Sequence, residues 1–227
     1  MNKEVLGIRI PASNAHSASL ESFKSLRTNL IYSEGVKVIT VTSTLPNEGK
    51  TMLSYNLAQS FAQMDKSVLL IDADLRKGSL KRWFTASRTL PGLSEALTGQ
   101  SGEIINFTRV PNLEVILSGK LPPNPTELLS SEMFEAIIDK LRRSYDYIII
   151  DTPPMTAAMD GAIVGRVSDG VVLVVRNDFV KKKEVLRVQK QLERNGARVV
   201  GVVLNRVQKD QLDYKSYDYD YYKTNKE

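Results

Sequence analysis

Val36-Lys37-Val38-Ile39-Thr40-Val41 runs directly into Thr42-Ser43-Thr44-Leu45-Pro46-Asn47-Glu48-Gly49-Lys50-Thr51, and a helical pattern follows through Met64. The order is a β-rich run, a polar loop and a helix. In such a turn successive backbone N–H groups wrap an anion, and the helix start adds the positive end of its dipole. The stretch matches the pattern G-x-x-x-x-G-K-[ST] except at the first glycine, where Thr44 stands. A Gly-Lys-Thr triplet by itself is a weak signal. Placed between a buried strand and a helix it reads as a phosphate loop. On that reading Pro46, Asn47, Glu48, Gly49, Lys50, Thr51 and Met52 bind nucleotide, with Lys50 reaching the β- and γ-phosphates and the Thr51 hydroxyl ligating Mg2+. Asn47 falls where a flexible residue helps, and asparagine tolerates left-handed backbone better than most.

Outward from this loop the same texture recurs. Ser67 to Ile71, Tyr147 to Ile150, Val171 to Val175 and Val199 to Leu204 are short, nearly unbroken apolar runs. Strands covered on both faces look like this, whereas a half-exposed strand alternates. Helix-like segments lie between them, at Ser131 to Arg143 and at Lys181 to Asn195, the latter with Val185, Val188 and Leu192 on one face and Gly196 as a stop. Strands alternating with helices predict an α/β fold, a mainly parallel β-sheet flanked by helices on both faces, of the P-loop NTPase type. Leu20 to Ile31 has helical spacing, and residues 1–20 read as a polar arm. Residues 78–125, rich in proline, predict short helices and one strand near Leu113–Leu117.

Two further strands end in acid. Leu69-Leu70-Ile71 leads into Asp72-Ala73-Asp74-Leu75-Arg76, and Ile148-Ile149-Ile150 into Asp151-Thr152-Pro153-Pro154. Ligands of open α/β sheets bind beyond the carboxyl ends of the strands. A lone strand-end aspartate is usually a cap or a turn residue. Two carboxylates beside a phosphate loop repel unless a cation joins them, and Mg2+ suits oxygen ligands plus waters. Thr51 with the carboxylates of Asp72, Asp74 and Asp151, acting directly or through water, is therefore the candidate metal set, and the implied cofactors are ATP and Mg2+.

Composition narrows the classes. The chain has 227 residues, enough to bury a sizeable core, and a net charge of +5 that reads first as a solvated surface, with a polyanionic ligand such as nucleotide or an anionic membrane surface as the other readings. No long basic helix or aromatic RNA signature appears, which disfavours nucleic acid. Without cysteine there are no disulfides, thiolate metal sites or cysteine nucleophiles, and one histidine, His16, makes no transition-metal cage. No apolar stretch approaches 18 residues, so the expectation is a cytoplasmic protein that does not span a membrane by itself.

The three motifs together resemble the Walker A, Walker A′ and Walker B motifs of the bacterial tyrosine kinases that control capsule and exopolysaccharide synthesis. The resemblance extends to Leu121-Pro122-Pro123-Asn124-Pro125-Thr126-Glu127-Leu128-Leu129 and to Gly201-Val202-Val203-Leu204-Asn205-Arg206. It is nearest to the Gram-positive form, in which kinase and membrane activator are separate chains. It implies a catalytic set of Lys50, Asp72 and Asp74, with Asp72 as base towards an incoming tyrosine hydroxyl, and a metal set in which Thr51 binds Mg2+ and Asp74 and Asp151 hold it or its waters. It also implies an adenine pocket near Asn205 and Arg206. An E-x-x-R-x-x-R row that mediates ring assembly in the family reads Glu21, Lys24 and Arg27 here. Implied partners are a transmembrane activator of the polysaccharide co-polymerase type that recruits the chain to the inner face of the membrane, further copies of the chain, and protein tyrosine substrates. Related positioning ATPases carry an extra lysine where this chain has Leu45. Such an ATPase, acting by partner binding, is the alternative reading.

Tyr214, Tyr217, Tyr219, Tyr221 and Tyr222 crowd into the end of the sequence, interleaved with Asp and Lys and almost free of aliphatics. A segment so poor in apolar residues forms no core, and these tyrosines are the expected autophosphorylation sites. The expected division is 1–35 as arm and assembly helix, 36–207 as nucleotide-binding kinase domain and 208–227 as tail.

Overall fold

Residues 5–8, 17–86 and 89–207 are described by the computed structural model. The apolar runs of the sequence become the strands of one sheet. In chain order these are β1 (Val5–Ile8), β2 (Val38–Ser43), β3 (Val68–Asp72), β4 (Phe84–Thr85), β5 (Ile105–Thr108), β6 (Leu113–Ile116), β7 (Tyr147–Asp151), β8 (Gly170–Arg176) and β9 (Val199–Asn205). The helices are α1 (Ser17–Ile31), α2 (Lys50–Ala62), α3 (Leu93–Leu97), α4 (Pro125–Leu129), α5 (Glu132–Arg142), α6 (Asp160–Arg166) and α7 (Lys182–Arg194).

Across the sheet the order is β4-β1-β5-β6-β3-β7-β2-β8-β9. The run from β6 to β9 is parallel throughout, while β1 with β4 and β5 with β6 pair antiparallel. Period-two alternation sends each strand's side chains to two separate cores. Val68, Leu70, Ile149 and Val172 join Leu53, Leu57 and Phe61 of α2 on one face. Leu69, Ile71, Ile148 and Ile150 join Phe134, Ile138 and Leu141 of α5 on the other. Under α7, Leu173 and Val175 meet Val188 and Leu192. Local chemistry sets the helix ends: Ser131 Oγ accepts the N–H of Phe134 at the start of α5, and Gly196, at φ 83, takes the left-handed turn after α7.

The structure differs from the sequence reading in three places. Val5–Ile8 lies within the expected arm yet forms a sheet strand between β4 and β5, and the proline-rich region supplies β4 and β5 besides the expected β6. Nor is β9 covered on both faces: Val202 is 51% and Leu204 53% exposed. It is an outermost strand of the sheet, with β8 as its neighbour. Among the described residues no helix is long and apolar enough to cross a membrane.

Candidate active site

Strand order brings the motifs together. β7 lies between β2 and β3, with Asp151 level with both Val41 and Asp72. The loop after β2, Asp72 at the end of β3 and Asp151 at the end of β7 therefore share one edge of the sheet.

The loop's backbone explains its departure from the consensus. Positive φ occurs at Asn47 (65°) and Gly49 (94°) and not at Thr44, so a side chain is tolerated where the pattern asks for its first glycine. Thr44 Oγ1 is buried with no hydrogen-bond partner among the described residues. A Cβ on Gly49 would lie 2.1 Å from Asn205 Nδ2, which together with the left-handed backbone favours glycine there. The Glu48 side chain turns inward. One carboxylate oxygen accepts the Leu45 N–H at 2.6 Å and the other the Arg176 N–H at 3.0 Å. Glu48 is thus a brace, and its backbone is what remains for a ligand. Pro46, Asn47 and Met52 are exposed at the rim.

Lys50 and Thr51 open α2. Thr51 Oγ1 donates to Asp151 Oδ2 at 2.7 Å, and Ser54 Oγ, one turn on, lies 3.2 Å from Asp151 Oδ1. Asp72, Asp74 and Asp151 are all essentially buried, as is Lys50. Asp72 accepts the N–H groups of Asp74 and Leu80, at 3.1 and 3.0 Å, while Asp74 accepts the Lys77 N–H and the Ser79 hydroxyl. Burial, and then the charges of Asp151 and Asp74, push the Asp72 carboxyl well above the usual range. Burial likewise pushes Asp151 up to about 6, against the pull of Lys50, Thr51 and Ser54. Three buried carboxylates face one ammonium, and the donors are all oxygen. That chemistry fits a hard dication, with Thr51 and Asp151 best placed to hold it. Among the described residues no three acidic side chains close into a metal cage.

Several contributors escaped the sequence reading. Asp160, fully buried at the start of α6, receives Arg76 Nε at 2.8 Å and the Thr126 hydroxyl at 2.8 Å. This ties the loop after Asp74 to α4 and α6. Arg76 directly follows Asp74-Leu75, but nothing local marks Asp160 as its partner. Ser54 stands one turn beyond Lys50, a spacing that faces the same way. At the end of β9, Asn205 Nδ2 donates to Glu48 O at 2.8 Å, and Asn205 Oδ1 accepts the N–H of Arg206. Beside it the Arg176 guanidinium sits 4.5 Å from the centre of the Phe179 ring.

The row on α1 splits. Lys24 pairs with Glu21 at 2.7 Å on the surface. Arg27 instead turns to α2 and donates to Ser60 O at 2.7 Å and Ser60 Oγ at 3.1 Å. The five tail tyrosines lie outside the described residues.

A loop of this form at the crevice of a parallel sheet defines a P-loop nucleotide-binding protein. The AAA domain family model matches residues 36–195. The tyrosine-protein kinase CpsD of Streptococcus agalactiae is 40% identical over 87% of this chain and 87% of its own length. The tyrosine-protein kinase wzc of Salmonella typhimurium is 37% identical over 91% of this chain but only 29% of its own. Among solved structures, the kinase domain of the Escherichia coli tyrosine kinase ETK superposes with a TM-score of 0.83 at 35% identity, covering 96% of this chain and 87% of that one. The chain belongs to the family of bacterial tyrosine-protein kinases.

Proposed function

We propose that the protein transfers the γ-phosphoryl group of ATP to tyrosine hydroxyls, first of all those of its own tail, and thereby regulates capsular or extracellular polysaccharide synthesis. The observation that carries this reading is the meeting of Lys50, Thr51, Asp72, Asp74 and Asp151 at one sheet edge. Its kinship with tyrosine-protein kinases supports the choice of acceptor.

A tyrosine hydroxyl, with a pKa of about 10, is a poor nucleophile at neutral pH. Asp72, whose burial strengthens its hold on a proton, takes that proton as the tyrosine oxygen bonds to the γ-phosphorus and the bond to the bridging oxygen breaks, releasing ADP. Lys50 and the loop N–H groups hold the phosphates in place. Thr51, Asp74 and Asp151 would hold Mg2+ or its waters, and the cation would offset charge on the phosphate oxygens.

The chain works in the cytoplasm, recruited to the inner membrane face by a separate transmembrane activator that orders the nucleotide pocket and concentrates subunits. Copies associate through α1, where the Glu21–Lys24 pair is exposed, so that one copy's tail reaches a neighbour's site.

Incubation with ATP and Mg2+, followed by phosphopeptide mass spectrometry, tests the reading. Phosphate on the tail tyrosines, lost in Lys50→Met, is the expected result. Steady release of inorganic phosphate with no phosphotyrosine, even with an activator's cytoplasmic segment fused on, would overturn it.

A further inference from the structure

Of the helices, α7 carries an unusual outer face. Val188 and Leu192 are buried against β8. On the opposite side Lys183, Arg187, Lys190 and Arg194 follow one another at spacings of four, three and four, which stacks them in a single row. All four are exposed. None has an acidic partner among the described residues, and the two acids of the helix, Glu184 and Glu193, fall on its flanks. Solvated helix faces usually alternate sign, because like charges four apart repel by a few tenths of a kcal/mol per pair, about as much as opposite ones attract. Here four positive charges line up, with Lys182 beside them, along a groove that also takes in Leu186, Gln191 and, as its one acid, Glu184. Such a row calls for a polyanion.

We infer that the α7 row is a docking site for the chain's own tail, residues 208–227, once its tyrosines carry phosphate. The inference rests on the tail being a phosphoacceptor, as proposed above. Before phosphorylation the tail has four lysines and five acids, a charge near −1 that α7 has little reason to hold. Five phosphates would add about −7.5 to −10, spaced two or three residues apart for the most part. The α7 row is about 17 Å long. The tail is also rooted in the right place. α7 starts beyond the end of β8, the neighbour of β9, so its first turn lies at the same sheet edge as Asn205, after which the chain continues to the tail. From Val207 an extended chain brings Tyr214 to roughly 24 Å and Tyr222 to roughly 50 Å, enough to lie along the whole helix. A row one helix wide matches an extended peptide better than it matches a flat anionic membrane. Docked there, the phosphorylated tail is held away from the phosphate loop, so the product is removed from the active edge and unmodified tails gain access to it.

The test uses the full chain, dephosphorylated beforehand, and a synthetic peptide of residues 208–227 with phosphate on Tyr214, Tyr217, Tyr219, Tyr221 and Tyr222, followed by fluorescence anisotropy. Because the phosphates are installed chemically, the outcome does not depend on whether the enzyme makes them; prior incubation of the chain with ATP and Mg2+ asks that question separately, through loss of free α7 sites. The expected result is at least tenfold tighter binding of the phosphopeptide than of the unmodified peptide. That preference should weaken as salt is raised and be lost in Lys183→Ser/Arg187→Ser/Lys190→Ser/Arg194→Ser. A milder pair, Lys183→Gln/Arg187→Gln, should lose part of it, with unchanged thermal melting. Equal binding by both variants and the parent chain overturns the inference, as does equal affinity for the two peptides. If instead the variants keep the phosphopeptide but lose vesicles of phosphatidylglycerol, α7 is a membrane surface and the tail is not its occupant.

Discussion

Asn205, at the end of β9, donates through Nδ2 to the carbonyl of Glu48 at 2.8 Å. The bond spans β8 and fastens an outer strand to the phosphate loop. The same amide fills the space where a side chain on Gly49 would stand. The loop's shape is thus set from two sides, by its own left-handed residues and by a strand two places away. We predict that Asn205→Ala weakens ATP binding about five- to tenfold, the worth of one well-placed hydrogen bond, with little change in melting temperature. Gly49→Ala should cost about 1–3 kcal/mol in denaturant unfolding from its left-handed backbone alone. Removing Asn205 as well should recover part of the loss, and a strictly additive double variant would show that the two positions do not compete for space.

Arg76 and Asp160 form a pair in which the carboxylate is fully buried and the guanidinium 36% exposed. Among the described residues, Arg76→Ala leaves the Asp160 charge with the Thr126 hydroxyl as its side-chain partner. Breaking a wholly buried pair costs about 3–5 kcal/mol; with one partner partly in water we expect about 2 kcal/mol, read from the denaturant midpoint. Because this pair anchors the turn after Asp74, phosphotransfer should fall more than ATP affinity does. An unchanged rate would show that Asp74 keeps its place without the pair.

Asp169 joins the start of β2 to α5. It accepts the N–H groups of Lys37 and Val38 at 2.9 and 2.7 Å and Arg142 Nη1 at 2.7 Å. Partial burial works to raise its carboxyl, but Arg142 and the two N–H groups outweigh it and hold it below the usual value. A group lowered on folding stabilises above its unfolded pKa, about 3.9, and loses that contribution as pH falls through the folded value. Unfolding measured from pH 6 down to pH 3 should therefore show a decline that is shallower in Asp169→Asn. Parallel curves for the two proteins would contradict this.

The tail tyrosines give the most direct chemical test. Tyr214, Tyr217, Tyr219, Tyr221 and Tyr222 changed together to Phe should remove most phosphotyrosine while leaving ATP affinity unchanged. Phosphate found instead on Tyr55 or Tyr145, both buried, would place the acceptor elsewhere.

The parallel sheet was legible in the sequence because strands covered on both faces leave unbroken apolar runs, and the site was legible because two such runs stop at aspartate. What escaped was non-local. Asp160 meets Arg76 across 84 positions of sequence, and no spacing rule connects them. β9 reads like β8, since position at a sheet edge is decided by strand order and not by the strand's own residues. β1 and β4 are too short to show a period. Arg27 has the spacing of an exposed row, yet its long side chain reaches Ser60 on the neighbouring helix.

Asp72 and Asp151 are level with each other across β3 and β7, and this makes the active edge sensitive to length as well as to composition. A single residue inserted within β7 ahead of Asp151 would carry the carboxylate about 3.3 Å along the strand and turn it to the opposite face, leaving Thr51 and Ser54 without their acceptor. Insertions in connections at the opposite edge of the sheet have no such leverage. The residue count from Val68 to Asp72 and from Tyr147 to Asp151 is thus as constrained as the identity of the two aspartates.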